Sequence, residues 1–170
     1  MGPAEFRIRP ATLSDIPLIR DIAFATWPET YGKILPPGQL DHMLALMYSA
    51  EALREQMTAK GHAFLLAAAP EEAVGFASFG PHPTRSDRFR LHKLYVLPNT
   101  QGTGLGRALL KAVETECREQ GGAALELNVN KHNRAKEFYL HHGFSRLRDE
   151  VLDIGNGYVM DDHVLIKPLG

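Results

Sequence analysis

The chain has 170 residues, of which 44% are hydrophobic and 23% are charged, an ordinary balance for a globular protein. Its 19 Lys and Arg side chains nearly balance 20 Asp and Glu side chains, which disfavours nucleic acid as a partner. No apolar run reaches the roughly 20 residues of a membrane span, no signal-peptide pattern precedes the first strand, and the single cysteine, Cys117, excludes an internal disulfide. We therefore expect one cytoplasmic domain over residues 1–170, with no membrane partner.

The sequence pattern of the first third of the chain predicts one strand followed by helices. Alternating apolar and polar residues predict a strand at residues 6–10, and apolar residues at helical spacing predict a helix over residues 16–23. Residues 26–38 contain three prolines and are expected to be irregular. Two more amphipathic helices are expected, one over residues 40–47 and one that begins at Ser49 as its N-cap.

The rest of the chain predicts a sheet interrupted by two helices. Two apolar runs separated by a turn at residues 70–72 predict a β-hairpin. Further strands are predicted at residues 88–97, 124–129, 144–154 and 158–167, and helices at residues 105–120 and after Asn133. This order of elements favours an α/β (α+β) fold with a mixed central sheet flanked by helices.

The most informative segment is residues 94–106, LYVLPNTQGTGLG, in which a predicted strand leads through a glycine-rich loop into a helix. Glycines have no Cβ atom, so the backbone N–H groups of such a loop can converge on a ligand. The first N–H groups of a helix have no partner within the helix and carry the positive end of its dipole. Together these features predict a site for a phosphate or pyrophosphate.

Two phosphate-binding loops do not fit this segment. A Walker loop needs a Lys after its last glycine, whereas Arg107 follows Gly106. A Rossmann loop needs the spacing G-x-G-x-x-G, which Gly102, Gly104 and Gly106 do not have. The pattern Q/R-x-x-G-x-G/A is matched by Gln101, Gly104 and Gly106, and the alternative is a glycine-rich turn that binds nothing.

The same segment resembles the coenzyme A pyrophosphate motif of the GNAT superfamily of N-acetyltransferases. A second segment agrees with it: Asn133 precedes residues 135–144, AKEFYLHHGF, which resemble the family's A-x-x-F-Y-x-x-x-G-F helix. One predicted helix and one predicted strand separate the two motifs, as in the family. The resemblance implies a GNAT-like, mostly antiparallel central sheet whose strands splay apart at the acetyl-CoA site.

The resemblance also implies acetyl-CoA as the co-substrate, and we expect no metal ion. Backbone groups of Leu94 and Val96 would pair with the pantetheine arm, and the Val96 N–H would polarise the thioester carbonyl. Asn133 would bond the same arm, and Tyr139 would lie near the sulfur. The expected cofactor-binding residues are Leu94, Val96, Gln101, Gly102, Thr103, Gly104, Leu105, Gly106, Asn133 and Tyr139.

The expected reaction is direct attack of an amine on the thioester within a ternary complex. Tyr139 is the expected general acid, because its ordinary pKa of about 10 lies close to that of a thiol. The alternative is that Tyr139 packs in the core beside Phe138. Cys117 falls on the apolar face of its helix, so we expect an inert buried thiol rather than an acyl carrier.

The general base is predicted less directly. Several family members use a glutamate on the strand before the loop, but Arg90 occupies that position and cannot act as a base at neutral pH. His92 lies two residues further on, on the same side of the strand by alternation, and its ordinary pKa suits a base. His92 is therefore the predicted base, with Glu126 or a chain of water molecules as alternatives.

The acceptor site is expected between the irregular segment and the C-terminal strands, lined by Trp27, Glu29 and Tyr31. Trp27 could equally pack beneath the segment. Glu29 and one of Asp161 or Asp162 could attract a cation. We therefore predict a small primary amine, such as a polyamine, as the acceptor.

Two other functions remain open at this point. A protein N-terminal or lysine acetyltransferase would keep the chemistry and change the partner. A degenerate sensor that binds acyl-CoA without turnover is favoured by the absence of the glutamate at Arg90. The oligomeric state does not follow from the sequence, and a homodimer is the assembly that we allow for.

Overall fold

The computed structural model describes residues 6–70, 72–100 and 102–170. The strands are β1 (Arg7–Pro10), β2 (Ala63–Ala68), β3 (Ala73–Pro81), β4 (Arg88–Val96), β5 (Ala124–Asn130), β6 (Ser145–Gly155) and β7 (Tyr158–Pro168). The helices are α1 (Ile16–Tyr31), α2 (Pro37–Tyr48), α3 (Ala50–Met57), α4 (Leu105–Glu119) and α5 (Ala135–His141). Ser49 caps α3 as predicted, since its Oγ accepts a hydrogen bond from the Ala52 N–H at 3.0 Å.

The seven strands form one sheet in the order β1-β2-β3-β4-β5-β7-β6. Every neighbouring pair in this order is antiparallel except β4 and β5, which are parallel. Helices α1, α2 and α3 pack on one face of the sheet, against Phe64, Leu66 and Phe76. Helices α4 and α5 pack on the other face. The predicted mixed, mostly antiparallel sheet flanked by helices is therefore confirmed.

Helix α1 extends further than the sequence predicts. The segment 26–38 was expected to be irregular, but α1 continues through Pro28 as far as Tyr31. Proline inside a helix removes one hydrogen bond and costs about 3 kcal/mol. Pro28 lies on the exposed side of α1, while Trp27 and Tyr31 on the opposite side are buried, 3% and 8% exposed. The burial of these two aromatic side chains offsets the loss, because each buries a large apolar area.

Strands β4 and β5 separate after a short paired stretch, as the predicted splay requires. Their register runs through only four pairs, from Arg88 opposite Ala124 to Leu91 opposite Leu127. Both strands then continue, β4 to Val96 and β5 to Asn130, without further pairing between them. A gap therefore opens in the sheet at the C-terminal ends of β4 and β5.

A β-bulge lies in β4 where this gap begins. Phe79 of β3 is opposite Leu91 and Ser78 is opposite Lys93, so His92 is an extra residue without a partner on β3. Because of the bulge, His92 and Lys93 both face α1–α3, although they are adjacent in sequence. Strict alternation along β4 therefore holds only on either side of the bulge.

The bulge buries the ammonium group of Lys93. This side chain is 9% exposed, forms no ion pair with a described residue, and places its Nζ 5.3 Å from the centre of the Tyr48 ring. Burial, and secondly the charge of Lys60, lowers the pKa of Lys93 to about 8 from 10.5. Below pH 8 both the folded and the unfolded chain hold the proton, so folding bears the whole cost of burying the charge. Stability rises as pH increases from about 8 to about 10.5, since there the unfolded chain binds more protons.

We expect Lys93→Met to raise the free energy of unfolding at pH 7 by about 1–3 kcal/mol. Each pKa unit corresponds to about 1.4 kcal/mol, and loss of the cation–π contact with Tyr48 offsets part of the gain. Urea unfolding at pH 7 and pH 10 measures the effect, and the difference from wild type should shrink at pH 10. Lys111→Met, at an exposed lysine of α4, is the control and should change little. A Lys93→Met variant no more stable than wild type at pH 7 would contradict this account.

Candidate functional site

Backbone groups of β4 that have no partner on β5 point into the gap between the two strands. The Leu97 N–H donates to the Val74 C=O of β3 at 2.8 Å. Because hydrogen bonding alternates along an antiparallel pair, the backbone groups of Tyr95 also face β3, whereas those of Leu94 and Val96 face the gap. An extended ligand could therefore bind along β4 as an added strand.

The N-terminus of α4 lies at the end of the loop that follows β4. Gly102 and Gly104 have φ angles of 84° and 86°, in the left-handed region that favours glycine. Gly104 is the N-cap of α4. The Ala108 N–H donates to the Gly104 C=O at 3.0 Å. It is the first N–H of α4 that donates to a described backbone carbonyl. The N–H groups before it, at the positive end of the helix dipole, have no such partner and suit an anionic ligand.

The other residues of the predicted loop differ in their surroundings. Gln101 lies outside the described residues. Thr103 turns inward, since its N–H and its Oγ1 both donate to the backbone carbonyl three residues earlier. Leu105 is buried in the core below the loop. A Cβ on Gly106 would lie 3.7 Å from the Phe138 ring, an ordinary contact, so this position has room for Ala. The left-handed glycines, and the N–H groups at the start of α4 that bond no described backbone group, would suit an anionic ligand such as a pyrophosphate.

Tyr31 and Asn133 meet beside the gap, and Tyr139 lies close enough to Tyr31 to feel its charge. The Tyr31 hydroxyl lies 3.1 Å from that of Tyr95 and accepts a hydrogen bond from Asn133 Nδ2 at 3.3 Å. Asn133 Oδ1 accepts from the Ala135 N–H at 2.9 Å, which fixes the start of α5. The Tyr139 hydroxyl makes no hydrogen bond with any described residue, and burial, together with nearby Tyr31, raises the pKa of Tyr139. This phenol therefore keeps its proton at neutral pH.

The other two predicted acceptor residues lie elsewhere. Trp27 is in the core between α1 and the sheet, with its ring centre 4.6 Å from that of Tyr31 and 5.8 Å from that of Tyr95. Glu29 is exposed on α1 and contacts no described residue through an ion pair or hydrogen bond. Of the three residues predicted from this segment, Tyr31 is the one whose hydroxyl joins the groups at the gap.

His92 is directed away from the gap. Its ring stacks on that of His62, with centres 3.9 Å apart, and its Nε2 would lie 3.5 Å from a Cβ on Gly80 of β3. Burial, followed by the charge that His62 can carry, lowers the pKa of His92 to about 3. The orientation and the low pKa favour a different base.

Glu126, the alternative base, forms ion pairs with arginine side chains. Its side chain is fully buried, and Oε2 accepts a hydrogen bond from Arg88 at 2.7 Å and lies 3.4 Å from His82 Nε2. Arg148 reaches within 3.9 Å of Oε1, and Arg90 is opposite Glu126 in the register of β4 and β5. This carboxylate is therefore part of a structural ion network at the closed end of the gap.

Three polar residues that face α1–α3 beside the open end of the gap were not among the predicted catalytic residues. Asn128 of β5 donates from Nδ2 to Glu150 of β6 at 2.7 Å and to Asp162 of β7 at 3.5 Å. Asp162 is 3% exposed, and Asp161 faces the other side of the sheet, where Lys131 binds it at 2.9 Å. For Asn128, a signal was available in the sequence. Positions 126, 128 and 130 are polar and alternate with apolar residues, so they mark one polar face of this strand.

Helix α2 is fastened to the hairpin of β6 and β7. Gln39 Nε2 donates to the Val159 C=O at 2.6 Å, and His42 Nε2 lies 2.7 Å from the Ile154 O. A Cβ on Gly38 would lie 2.3 Å from the Tyr158 hydroxyl oxygen, so only glycine fits there without movement. These contacts hold α2 against the β6–β7 hairpin, on the same face of the sheet as Asn128, Glu150 and Asp162.

The part of the chain that the structure describes contains neither a metal-binding group nor a membrane-spanning helix. No three His, Cys, Asp or Glu side chains among those residues are grouped so that they could bind a metal ion. Nor does any helix within residues 6–70, 72–100 and 102–170 have the length and apolar character that crossing a bilayer requires.

Sequence comparisons identify related proteins. Residues 36–159 match the profile described as "Acetyltransferase (GNAT) domain". A probable N-acetyltransferase of Mycobacterium tuberculosis is 29% identical over 111 residues, 65% of this chain and 64% of that protein. An uncharacterized N-acetyltransferase of Bacillus subtilis is 28% identical over 150 residues, 86% of this chain and 84% of that protein. The L-amino acid N-acyltransferase MnaT of Escherichia coli is 34% identical over 90 residues, 51% of each protein.

Structural comparisons support the same fold. The PaiA N-acetyltransferase of Thermoplasma acidophilum, solved in complex with coenzyme A, superposes with a TM-score of 0.79 at 23% identity, covering 96% of this chain and 98% of that one. A GCN5-related N-acetyltransferase of Rhodopseudomonas palustris gives a TM-score of 0.80 at 20% identity, covering 95% and 94% of the two chains. At these identities the likeness establishes the fold.

Proposed function

The chain belongs to the GNAT family of acetyltransferases, whose co-substrate is acetyl-CoA, and we propose that it transfers the acetyl group to a small primary amine by direct attack. The observation that carries the proposal is the gap between β4 and β5. Among the described residues, its backbone groups at Leu94 and Val96 have no partner on β5, and the N–H groups at the start of α4 donate to no backbone carbonyl. On the α1–α3 face, the same gap lies beside polar side chains that could receive an amine.

Acetyl-CoA would supply an activated thioester, and the chain would supply binding, orientation and protons. Leu94 and Val96 would hold the pantetheine arm through backbone hydrogen bonds, and the N-terminus of α4 would hold the pyrophosphate. The Val96 N–H would stabilise negative charge on the thioester oxygen. Tyr139 would donate its proton to the departing sulfur, since its hydroxyl has no competing described partner.

Direct attack is favoured over transfer through a cysteine. Cys117 is fully buried on the core-facing side of α4, away from solvent. Burial raises the pKa of its thiol to about 12, so the reactive thiolate is scarce at neutral pH. The one cysteine of this chain is therefore unsuited to carry an acetyl group.

The contacts between α2 and the β6–β7 hairpin favour a small acceptor over a folded protein. Gln39, His42 and Tyr158 fasten the two elements together. Glu150 and Asp162 supply negative charge on the same face of the sheet, which suits an ammonium group, such as one end of a polyamine. Among protein acceptors, a flexible chain end would suit this arrangement better than a folded surface.

A second candidate acceptor is an amine that also carries a carboxylate. Arg88, Arg90 and Arg148 surround the single carboxylate of Glu126 on the same face of the sheet, so the closed end of the gap has an excess of positive charge. Arginine binds carboxylates through paired hydrogen bonds. The name of one partial relative, an L-amino acid N-acyltransferase, is consistent with this alternative.

An amine panel tests the proposed function. Release of the coenzyme A thiol from acetyl-CoA is followed with spermidine, a simple alkylamine, several amino acids, unstructured peptides and a folded protein. We expect turnover with at least one small amine and none with the folded protein. If spermidine is an acceptor, its KM should rise with salt, because the attraction to Glu150 and Asp162 is screened. Turnover of amino acids alone would select the second candidate, and turnover only of folded protein would contradict the proposal.

A further inference from the structure

Asp162 occupies an unusual position for a carboxylate. It lies on β7 opposite Asn130, the last residue of β5, at the open end of the gap between β4 and β5. Its side chain is 3% exposed. The only hydrogen bond that it receives from a described residue is from Asn128 Nδ2, and at 3.5 Å this bond is at the limit of a hydrogen bond.

No cation neutralises Asp162 among the described residues. Lys131 pairs with Asp161 on the opposite face of the sheet at 2.9 Å, and Arg148 lies toward Glu126 at 3.9 Å. A buried carboxylate without a partner is unfavourable unless a ligand supplies one. An acceptor ammonium beside the gap would supply both the positive charge and the hydrogen bonds that Asp162 lacks.

On the basis of the proposed function, we propose that Asp162 is the catalytic base that removes a proton from the acceptor ammonium group. An N–H bond of the ammonium breaks and an O–H bond forms on Asp162. The freed lone pair then forms the C–N bond as the C–S bond breaks. Tyr139 protonates the departing sulfur and regains a proton from the nitrogen, so one proton per turnover leaves through Asp162 to solvent.

The surroundings of Asp162 suit this role. Burial raises the pKa of Asp162 to about 6; the hydrogen bond from Asn128 lowers it in part, and the charge of Glu150 raises it further. Tyr31 of α1 faces the Asp162 carboxylate. Asp161 and His163 are its neighbours along β7, and their side chains lie on the opposite face of the sheet. Such a carboxylate is still ionised at neutral pH and is a stronger base than an ordinary aspartate.

The substitution Asp162→Asn tests the role with a matched control. With an amine that the wild-type enzyme acetylates, we expect kcat/KM at pH 7 to fall by about 10²–10⁴-fold, the usual contribution of a general base. Coenzyme A affinity should remain close to wild type, and the melting temperature should not fall, because Asn removes a buried charge. Asp161→Asn removes the same charge one residue away on the opposite face, and its kcat/KM should remain close to wild type. The deficit of Asp162→Asn should narrow at high pH, where more of the amine is already neutral.

A second variant tests the proposal if Asp162→Asn does not fold. Glu150→Gln removes the negative charge beside Asp162, so the rising limb of kcat/KM against pH should move to lower pH. An unmoved limb, or wild-type kcat/KM in folded Asp162→Asn, would overturn the role of Asp162 while leaving the acetyltransferase function intact. Failure of the wild-type protein to acetylate any amine would instead remove the proposed function, and the role of Asp162 with it.

Discussion

Replacement of Tyr139 by phenylalanine is expected to lower kcat by about 10²–10⁴-fold while coenzyme A affinity remains unchanged. The substitution keeps the buried ring, which packs against Phe138 and Phe144, and removes only the hydroxyl. That hydroxyl makes no hydrogen bond with a described residue, so its loss should leave stability nearly unchanged. Burial raises the pKa of Tyr139, so the phenol is protonated at neutral pH and can serve as an acid.

Steady-state kinetics with acetyl-CoA and the best amine of the panel measure this effect. Tyr48→Phe is the matched control, because Tyr48 is also a fully buried tyrosine but lies in the core between the sheet and α1–α3. The control should keep kcat close to that of wild type. If Tyr139→Phe also turned over at the wild-type rate, Tyr139 would be a packing residue and another group would protonate the sulfur.

Much of the fold follows from local sequence patterns. Alternation predicted the first strand, apolar runs separated by a turn predicted the hairpin, and helical spacing predicted α4, because these patterns reflect which parts of an element are buried. Helix α1 is the exception, since Pro28 argues locally for a break. The burial of Trp27 and Tyr31 against a sheet formed by residues more than 30 positions away decides the outcome. No local pattern contains that information.

The residues predicted to bind the cofactor lie mostly in one continuous segment of the sequence. The motif at residues 94–106 indicates the gap-facing strand and the helix N-terminus because both features belong to one continuous segment. His92 shows where such reasoning stops. Alternation placed it on the same side as Arg90, but whether the ring points into the gap depends on the bulge in β4 and on His62.

The acceptor side depends on contacts that are distant in sequence. Asp162 lies beside the gap only because β7 pairs with β5 in a register that places it opposite Asn130. Asn128 and Glu150 reach it from two other strands. The sequence offers Asp161 and Asp162 as alternative residues for attracting a cation. The register of the sheet decides between them, because it places Asp162 beside the gap and Asp161 on the other face.

Substitution of Gly104 by valine is expected to weaken coenzyme A binding by at least about tenfold. Gly104 has a φ of 86° and caps α4, so a β-branched residue would displace the backbone there. The displaced N–H groups would lose hydrogen bonds to the pyrophosphate, and each bond to a charged group is worth about 1.5–3 kcal/mol. Since about 1.4 kcal/mol corresponds to a tenfold change in affinity, loss of one bond already gives this effect.

Calorimetric titration of coenzyme A into wild type, Gly104→Val and Gly121→Val tests most directly whether the gap and the N-terminus of α4 form the coenzyme A site. Gly121 also has a φ of 86°, and a Cβ there would meet nothing within 4 Å, so Gly121→Val introduces the same backbone strain beyond the other end of α4. We predict that wild type and Gly121→Val bind coenzyme A with similar affinity and that folded Gly104→Val binds at least about tenfold more weakly. Equal affinity of folded Gly104→Val and wild type would contradict the assignment of this site.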